Sequence, residues 1–65
     1  MQFTVVIDNI DIPGFSRSIT LTCSTAMEAH ERCYLDDIES GEQIIEIRDN
    51  NNQIVFELTG FVDPF

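Results

Sequence analysis

His30 and Cys33 are the two side chains of this 65-residue chain whose types and spacing most resemble a reactive pair. Three positions apart in a helical segment, they lie on adjacent turns with backbones close enough for contact. A histidine beside a thiol is the arrangement that turns cysteine into a nucleophile. A reactive thiolate also needs exposure and an electropositive setting. Here both residues fall on the apolar side of their segment, and the surrounding charges are carboxylates. The expectation is therefore a structural histidine, bonded to a backbone carbonyl or to Tyr34, an inert Cys33, and no enzymatic activity.

Two other stretches invite a metal and then fail to complete a site. Asp49-Asn50-Asn51-Asn52-Gln53 begins like a calcium loop of the D-x-N-x-N type. It lacks the glycine at the sixth position and the glutamate at the twelfth, and reads as a polar hairpin turn. Cys23 and Cys33 have neither CxxC nor zinc-finger spacing, and two cysteines are too few for a disulfide scaffold. Both are expected to be buried free thiols in a reducing compartment. No cofactor or metal is expected.

What remains is charge. Twelve Asp and Glu face three Arg and no Lys, for a net charge of −9. Such a chain is repelled by nucleic acid and by anionic membranes and attracted to basic protein surfaces. RNA and DNA readers need basic patches with aromatic platforms, which this composition denies. The carboxylates concentrate between Ser24 and Asp49, where only Arg32 and Arg48 oppose them. Glu28, Arg32 and Asp36 are spaced four apart, so Arg32 can pair with both, as on a solvated helix face. Beyond Arg32, five carboxylates follow before another cation. Asp36, Asp37 and Glu39 crowd the negative end of a helix dipole, which costs stability. A small domain that keeps such a field is expected to use it. The candidate contacts are Glu28, Glu31, Asp36, Asp37, Glu39, Glu42 and Glu46, pairing with Lys and Arg of a partner.

The elements that position these residues follow from periodicity. Phe3, Val5 and Ile7 alternate with Thr4, Val6 and Asp8 as a first strand. Asn9 to Ser16 is a loop turning at Pro13-Gly14, and Ile10, Ile12 and Phe15 predict that it folds over one end of the core. Ile19, Leu21 and Cys23 alternate with Ser18, Thr20 and Thr22 as a second strand, in a hairpin with the first. Thr25 and Glu28 have capping-box spacing. A helix from Thr25 to Ser40, closed by Gly41 in a left-handed conformation, turns Ala26, Met27, Ala29, His30, Cys33, Tyr34 and Ile38 inward. A third strand has Ile45 and Ile47 inward, and a fourth has Ile54, Phe56 and Leu58. Val6, Ile44 and Val55 would then form a small apolar patch on the outer face of the sheet. The apolar tail from Phe61 to Phe65 either tucks against the sheet or adds to a contact surface.

The expected architecture is a single α+β domain over residues 1–65, a two-layer ββαββ arrangement of one four-stranded sheet with one helix packed on one face. So small a domain buries only about 60% of its unfolded surface, which argues against a deep cleft. No segment approaches the roughly 20 apolar residues of a membrane span. MQFTVVIDNID lacks the basic region and cleavage site of a signal peptide, so a cytoplasmic protein is expected. The strand order stays open: the two hairpins can join through parallel first and fourth strands, or through antiparallel neighbours. The opening MQFTVVI, the hairpin and the capped helix resemble a ubiquitin-like start, over about the first forty residues. Asp63-Pro64-Phe65 stand where that family's carriers have a diglycine tail, so a modifier role is not implied.

In size, charge and lack of catalytic motifs the chain resembles the small acidic inhibitors that phages carry against bacterial defence, above all the anti-CRISPR proteins. That resemblance covers the whole chain at the level of class. It implies a stoichiometric inhibitor acting in the bacterial cytoplasm, monomeric or weakly dimeric, which blocks a CRISPR-Cas effector subunit where basic residues grip DNA. Carboxylates one helical turn apart, about 6 Å, approach the spacing of phosphates along a strand. The alternative expectation is a structural or assembly protein that binds through its apolar surfaces.

Overall fold

A computed structural model describes residues 1–62. Its elements are β1 (Gln2–Asn9), β2 (Ser16–Thr22), α1 (Ala26–Asp36), β3 (Glu42–Arg48), β4 (Ile54–Glu57) and β5 (Gly60–Phe61). One helix lies on one face of a five-stranded sheet of order β2-β1-β3-β4-β5, antiparallel throughout. The α+β, two-layer reading holds, with a fifth strand added. That strand is short: Leu58 and Thr59 turn the chain, and Phe61 returns to pair with Phe56. The expected tail contact splits accordingly, since Phe61 belongs to β5 while residues 63–65 lie outside those described. The open question of strand order resolves to antiparallel neighbours: β1 lies between β2 and β3, so the ubiquitin-like beginning does not continue into a β-grasp.

The core forms where strand alternation meets the inner stripe of the helix. Phe3, Val5 and Ile7 of β1, Ile44 and Ile47 of β3, and Cys23, Ala29 and Cys33 are buried, with Ile19, Leu21, Ala26, Ile38, Val55 and Phe56 packed around them. The helix begins as its sequence dictates. Thr25 is the extended N-cap, and its Oγ1 accepts the Glu28 N–H at 3.1 Å.

The helix ends earlier than expected, at Asp36, with Asp37 as C-cap. Two adjacent aspartates are poor helix formers at the negative end of the dipole, and unwinding there lets Ile38 pack against the core. The N–H groups of Asp37 and Ile38 both return to the Cys33 carbonyl. Gly41 does adopt positive φ, at +85°, but within a separate turn closed by Glu42 N–H to the Glu39 carbonyl at 3.0 Å. A side chain at this position would also run into the Asp11 carboxylate. Pro13-Gly14 turns as expected: Gly14 has φ +84°, and Phe15 N–H donates to the Ile12 carbonyl at 3.1 Å. Asp49 caps the β3–β4 turn by accepting the N–H groups of Asn51 and Gln53 at 2.9 Å each.

Two bulges overturn the simple alternation in β3 and β4. Val6 lies opposite Glu46, but Ile7 lies opposite Ile44, so Ile45 is the extra residue and Ile44 turns into the core. Ile47 lies opposite Phe56, but Arg48 lies opposite Ile54, so Val55 is extra and packs against the core from its bulge. Leu58, expected inside, is exposed in the turn. The outer apolar patch of Val6, Ile44 and Val55 therefore does not assemble. The register makes a discriminating test. Ile44→Ala is expected to cost about 2–5 kcal/mol in denaturant unfolding, and Ile45→Ala clearly less. A larger loss at Ile45 would place the bulge wrongly.

Candidate partner-binding surface

Arg17 organises the end of the molecule at which α1 finishes. It lies opposite Ile7 on the inner side of β2, beneath the C-terminus of α1. Its guanidinium donates two hydrogen bonds to Glu42, Nε to Oε2 at 2.9 Å and Nη2 to Oε1 at 2.8 Å, and Nη2 also reaches the Asp37 carbonyl at 2.6 Å. The last turn of α1 contains no basic residue, so a cation from a distant strand serves the helix terminus. Glu42 Oε1 also accepts the Glu39 N–H at 2.9 Å, and only 3% of the Glu42 side chain is exposed. Hydrogen bonding to Arg17, then to the Glu39 backbone, holds its carboxyl down at about 2.

The seven expected contacts thus separate. Glu28 sits in the first turn of α1, Glu31 and Asp36 are exposed along it, Asp37 is the half-buried C-cap, and Glu39 is exposed in the following turn. The helix rise sets Glu28 and Asp36 about 12 Å apart. Glu42 is withdrawn into its Arg17 pair. Glu46 faces the other side of the sheet, opposite Val6 and Glu57, and binds Arg48 Nε at 2.6 Å. Arg32 does not bridge Glu28 and Asp36. Its Nη1 donates to the Thr22 carbonyl at 3.3 Å and lies 3.8 Å from Cys23 Sγ. Among the described residues the ion pairs are Arg17–Glu42 and Arg48–Glu46.

Strand order adds a carboxylate that the linear sequence kept apart from the rest. Asn9 lies opposite Glu42, and Ile10 N–H donates to the Gly41 carbonyl at 2.8 Å. This sets the β1–β2 loop against the turn after α1, with Asp11 beside Gly41 and Asp8 opposite Gln43. Asp11, Asp36, Asp37 and Glu39 thereby gather at one end, while Asp8, next to buried Ile7, points to the opposite face of the sheet. Ile10, Ile12 and Phe15 lie in the same loop, exposed and not folded over the core as expected. Backbone hydrogen bonds hold the loop at its base, and its reversal at Pro13-Gly14 carries those side chains outward.

The reactive pair is arranged for packing. Cys33 is fully buried, and burial, reinforced by the Asp37 charge, raises its thiol to about 11. The His30 ring packs against Phe56 at 4.7 Å and Phe61 at 5.7 Å, and stacks parallel to Tyr34 at 6.5 Å. Among the described residues, no three His, Cys, Asp or Glu side chains come together to hold a metal ion, and no helix is long and apolar enough to cross a membrane. A shallow, open groove of about 610 Å³ lies at the β3–β4 turn, lined by Arg48, Asp49, Asn52 and Ile54 among others.

Fold and surface together define a small acidic α+β domain with one charged, partly apolar end. Comparison with protein-family models, curated proteins and solved structures returns no match.

Two outcomes follow from this geometry. The Glu42 carboxyl lies at about 2 in the folded protein against an ordinary 4.5. Its contribution to stability is complete above pH 4.5 and is lost as pH falls towards 2. Glu42→Gln should therefore be less stable than the parent at pH 7, with the gap narrowing between pH 4.5 and 2. A gap independent of pH in denaturant titrations would refute the pairing. Cys33 should resist iodoacetamide in the native protein and react once it is denatured; rapid native labelling at Cys33 would contradict its burial.

Proposed function

We propose that the chain is a protein-binding inhibitor that occupies the basic, nucleic-acid-binding surface of another protein. The single observation that carries this reading is the disposition of charge. Among the described residues Glu28, Glu31, Asp36, Asp37 and Glu39 lack an ion-pair partner, Asp11 joins the helix end of that series, and Arg17, Arg32 and Arg48 are all bonded within the molecule. A partner thus meets carboxylates that no internal cation holds in a direct ion pair. Exposed Ile10, Ile12 and Phe15 beside them add apolar anchors, which exposed ion pairs alone do not supply.

The class that fits is the one the sequence resembles, the anti-CRISPR proteins. The proposed partner is a CRISPR-Cas effector subunit, met in the bacterial cytoplasm at the basic channel that holds target DNA. The protein itself would contact no nucleic acid. Glu42 is better assigned to holding the fold than to contact, and Glu46 belongs to a different face.

A second reading, assembly through apolar surface, has its own support. Met27, Tyr34 and Leu35 on the helix are exposed, as are Leu58, Phe61 and Val62 near β5. The two readings respond oppositely to substitution. Binding to purified effector complexes is expected to weaken by roughly tenfold or more in Glu31→Gln/Asp36→Asn/Glu39→Gln, and to fall steeply between about 50 mM and about 500 mM salt. Affinity that is flat with salt and unmoved by the triple substitution, yet lost in Leu35→Ser/Phe61→Ser, would replace the first reading with the second.

A further inference from the structure

The two edges of the sheet are built differently. At one edge, β4 is bulged at Val55 and β5 is two residues long, both of which spoil a template for strand addition. At the other edge, β2 runs seven residues in unbroken register with β1, from Ser16 opposite Asp8 to Thr22 opposite Gln2. It has no proline, no lysine and no bulge, and its one charged side chain, Arg17, is drawn to Glu42. Of the usual protections of an exposed edge it has only the inward-pointing charge of Arg17, and that charge is held within the molecule.

The direction of its free backbone groups follows from the ladder. Cys23 N–H donates to the Met1 carbonyl at 2.9 Å, which fixes the odd-numbered residues of β2 as the hydrogen-bonded partners of β1. The backbone groups of Ser16, Ser18, Thr20 and Thr22 then point outward from the edge. The Thr22 carbonyl is taken by Arg32; the others have no partner in the sheet. The helix packs over β1 and β3, which leaves this flank open to an approaching strand.

Charge selects the occupant. In a chain of net charge −9, β2 itself carries no carboxylate, so two copies paired along it set no acidic side chains directly opposite each other. The strand is also self-complementary. Antiparallel pairing about a two-fold axis at Ile19 sets Ile19 against its own copy and Ser18 against Thr20. Half-buried Ile19 and Leu21 gain cover on the inner face, and hydroxyls meet across the outer face. We propose that β2 is a homodimerisation edge, through which two copies join β2 to β2 into one continuous antiparallel sheet.

A seven-residue edge buries less than a standard interface, so a dissociation constant in roughly the micromolar range is expected. Its salt response distinguishes it from binding to a basic partner: screening relieves the repulsion of two acidic copies, and dimerisation should tighten by roughly tenfold between about 50 mM and about 500 mM salt. Sedimentation equilibrium of the whole chain from about 10 μM to about 1 mM should show a doubled mass. Ser18→Glu/Thr20→Glu, which sets like charges directly opposite, should shift the dissociation constant by roughly a hundredfold, with unchanged circular dichroism. Hydrogen exchange of the unmodified protein needs no variant: the Ser18 and Thr20 amides should gain protection as concentration rises. A chain that stays monomeric throughout, a dimer that survives Ser18→Glu/Thr20→Glu, or edge amides indifferent to concentration would each overturn the proposal. So would an edge that takes up an added β2 peptide while never pairing with its own copy.

Discussion

The fold depends on one cation placed where the local sequence supplies none. The C-terminal turn of α1 ends in consecutive aspartates and is followed by Glu39 and Glu42, an arrangement that repels both itself and the helix dipole. Arg17, twenty residues before Asp37 in sequence, enters beneath this end and bonds the Asp37 carbonyl and the Glu42 carboxylate together. Glu42 in turn ties the Glu39 backbone. Helix terminus, α1–β3 turn and β2 are thereby fastened at one point. The guanidinium suits this role because its planar fork meets a carboxylate bidentately while sparing a donor for a carbonyl. A lysine would provide the charge without the geometry.

Much of this fold was legible in the sequence, and the failures share a physical cause. The Thr25 N-cap, Pro13-Gly14 and the Asp49 turn are local devices whose chemistry lies within a few residues, and each forms where expected, although of the capping box only the Thr25 half is made. The alternation of β1 and β2 holds because neither strand is interrupted. In β3, Ile44, Ile45 and Ile47 are equally apolar, so composition does not reveal which of the first two turns inward. Only pairing with β1 decides, by expelling Ile45 as a bulge. Ile54, Val55 and Phe56 pose the same ambiguity in β4. The early end of α1 is also non-local, since Ile38 leaves the helix to reach a core assembled from distant strands.

The candidate surface was less legible than the fold. Periodicity placed Glu28, Glu31 and Asp36 along the helix, but pairing is a tertiary property. Arg17 removed Glu42 from the field, and Arg48 neutralised Glu46 on the far side of the sheet. Asp11 joined the field only because β1 lies beside β3, the strand order that the sequence left open. A count of carboxylates therefore described the sign of the surface correctly and its membership incompletely.

Charge also bears on how an open β2 edge avoids extension without limit. An open strand invites extension without limit when both edges of a sheet accept a neighbour. Here the opposite edge ends in a bulged strand and a two-residue strand, so a two-fold pairing through β2 uses up the regular edge template among the described residues. Each added copy would also bring a further net charge of −9. At physiological ionic strength the screening length is about 8 Å, comparable with the spacing between neighbouring elements, so that repulsion persists across a close contact. The acidic field that would meet a basic partner at the helix end is then the same field that limits association at the strand edge. Neutralising it to weaken one contact would strengthen the other.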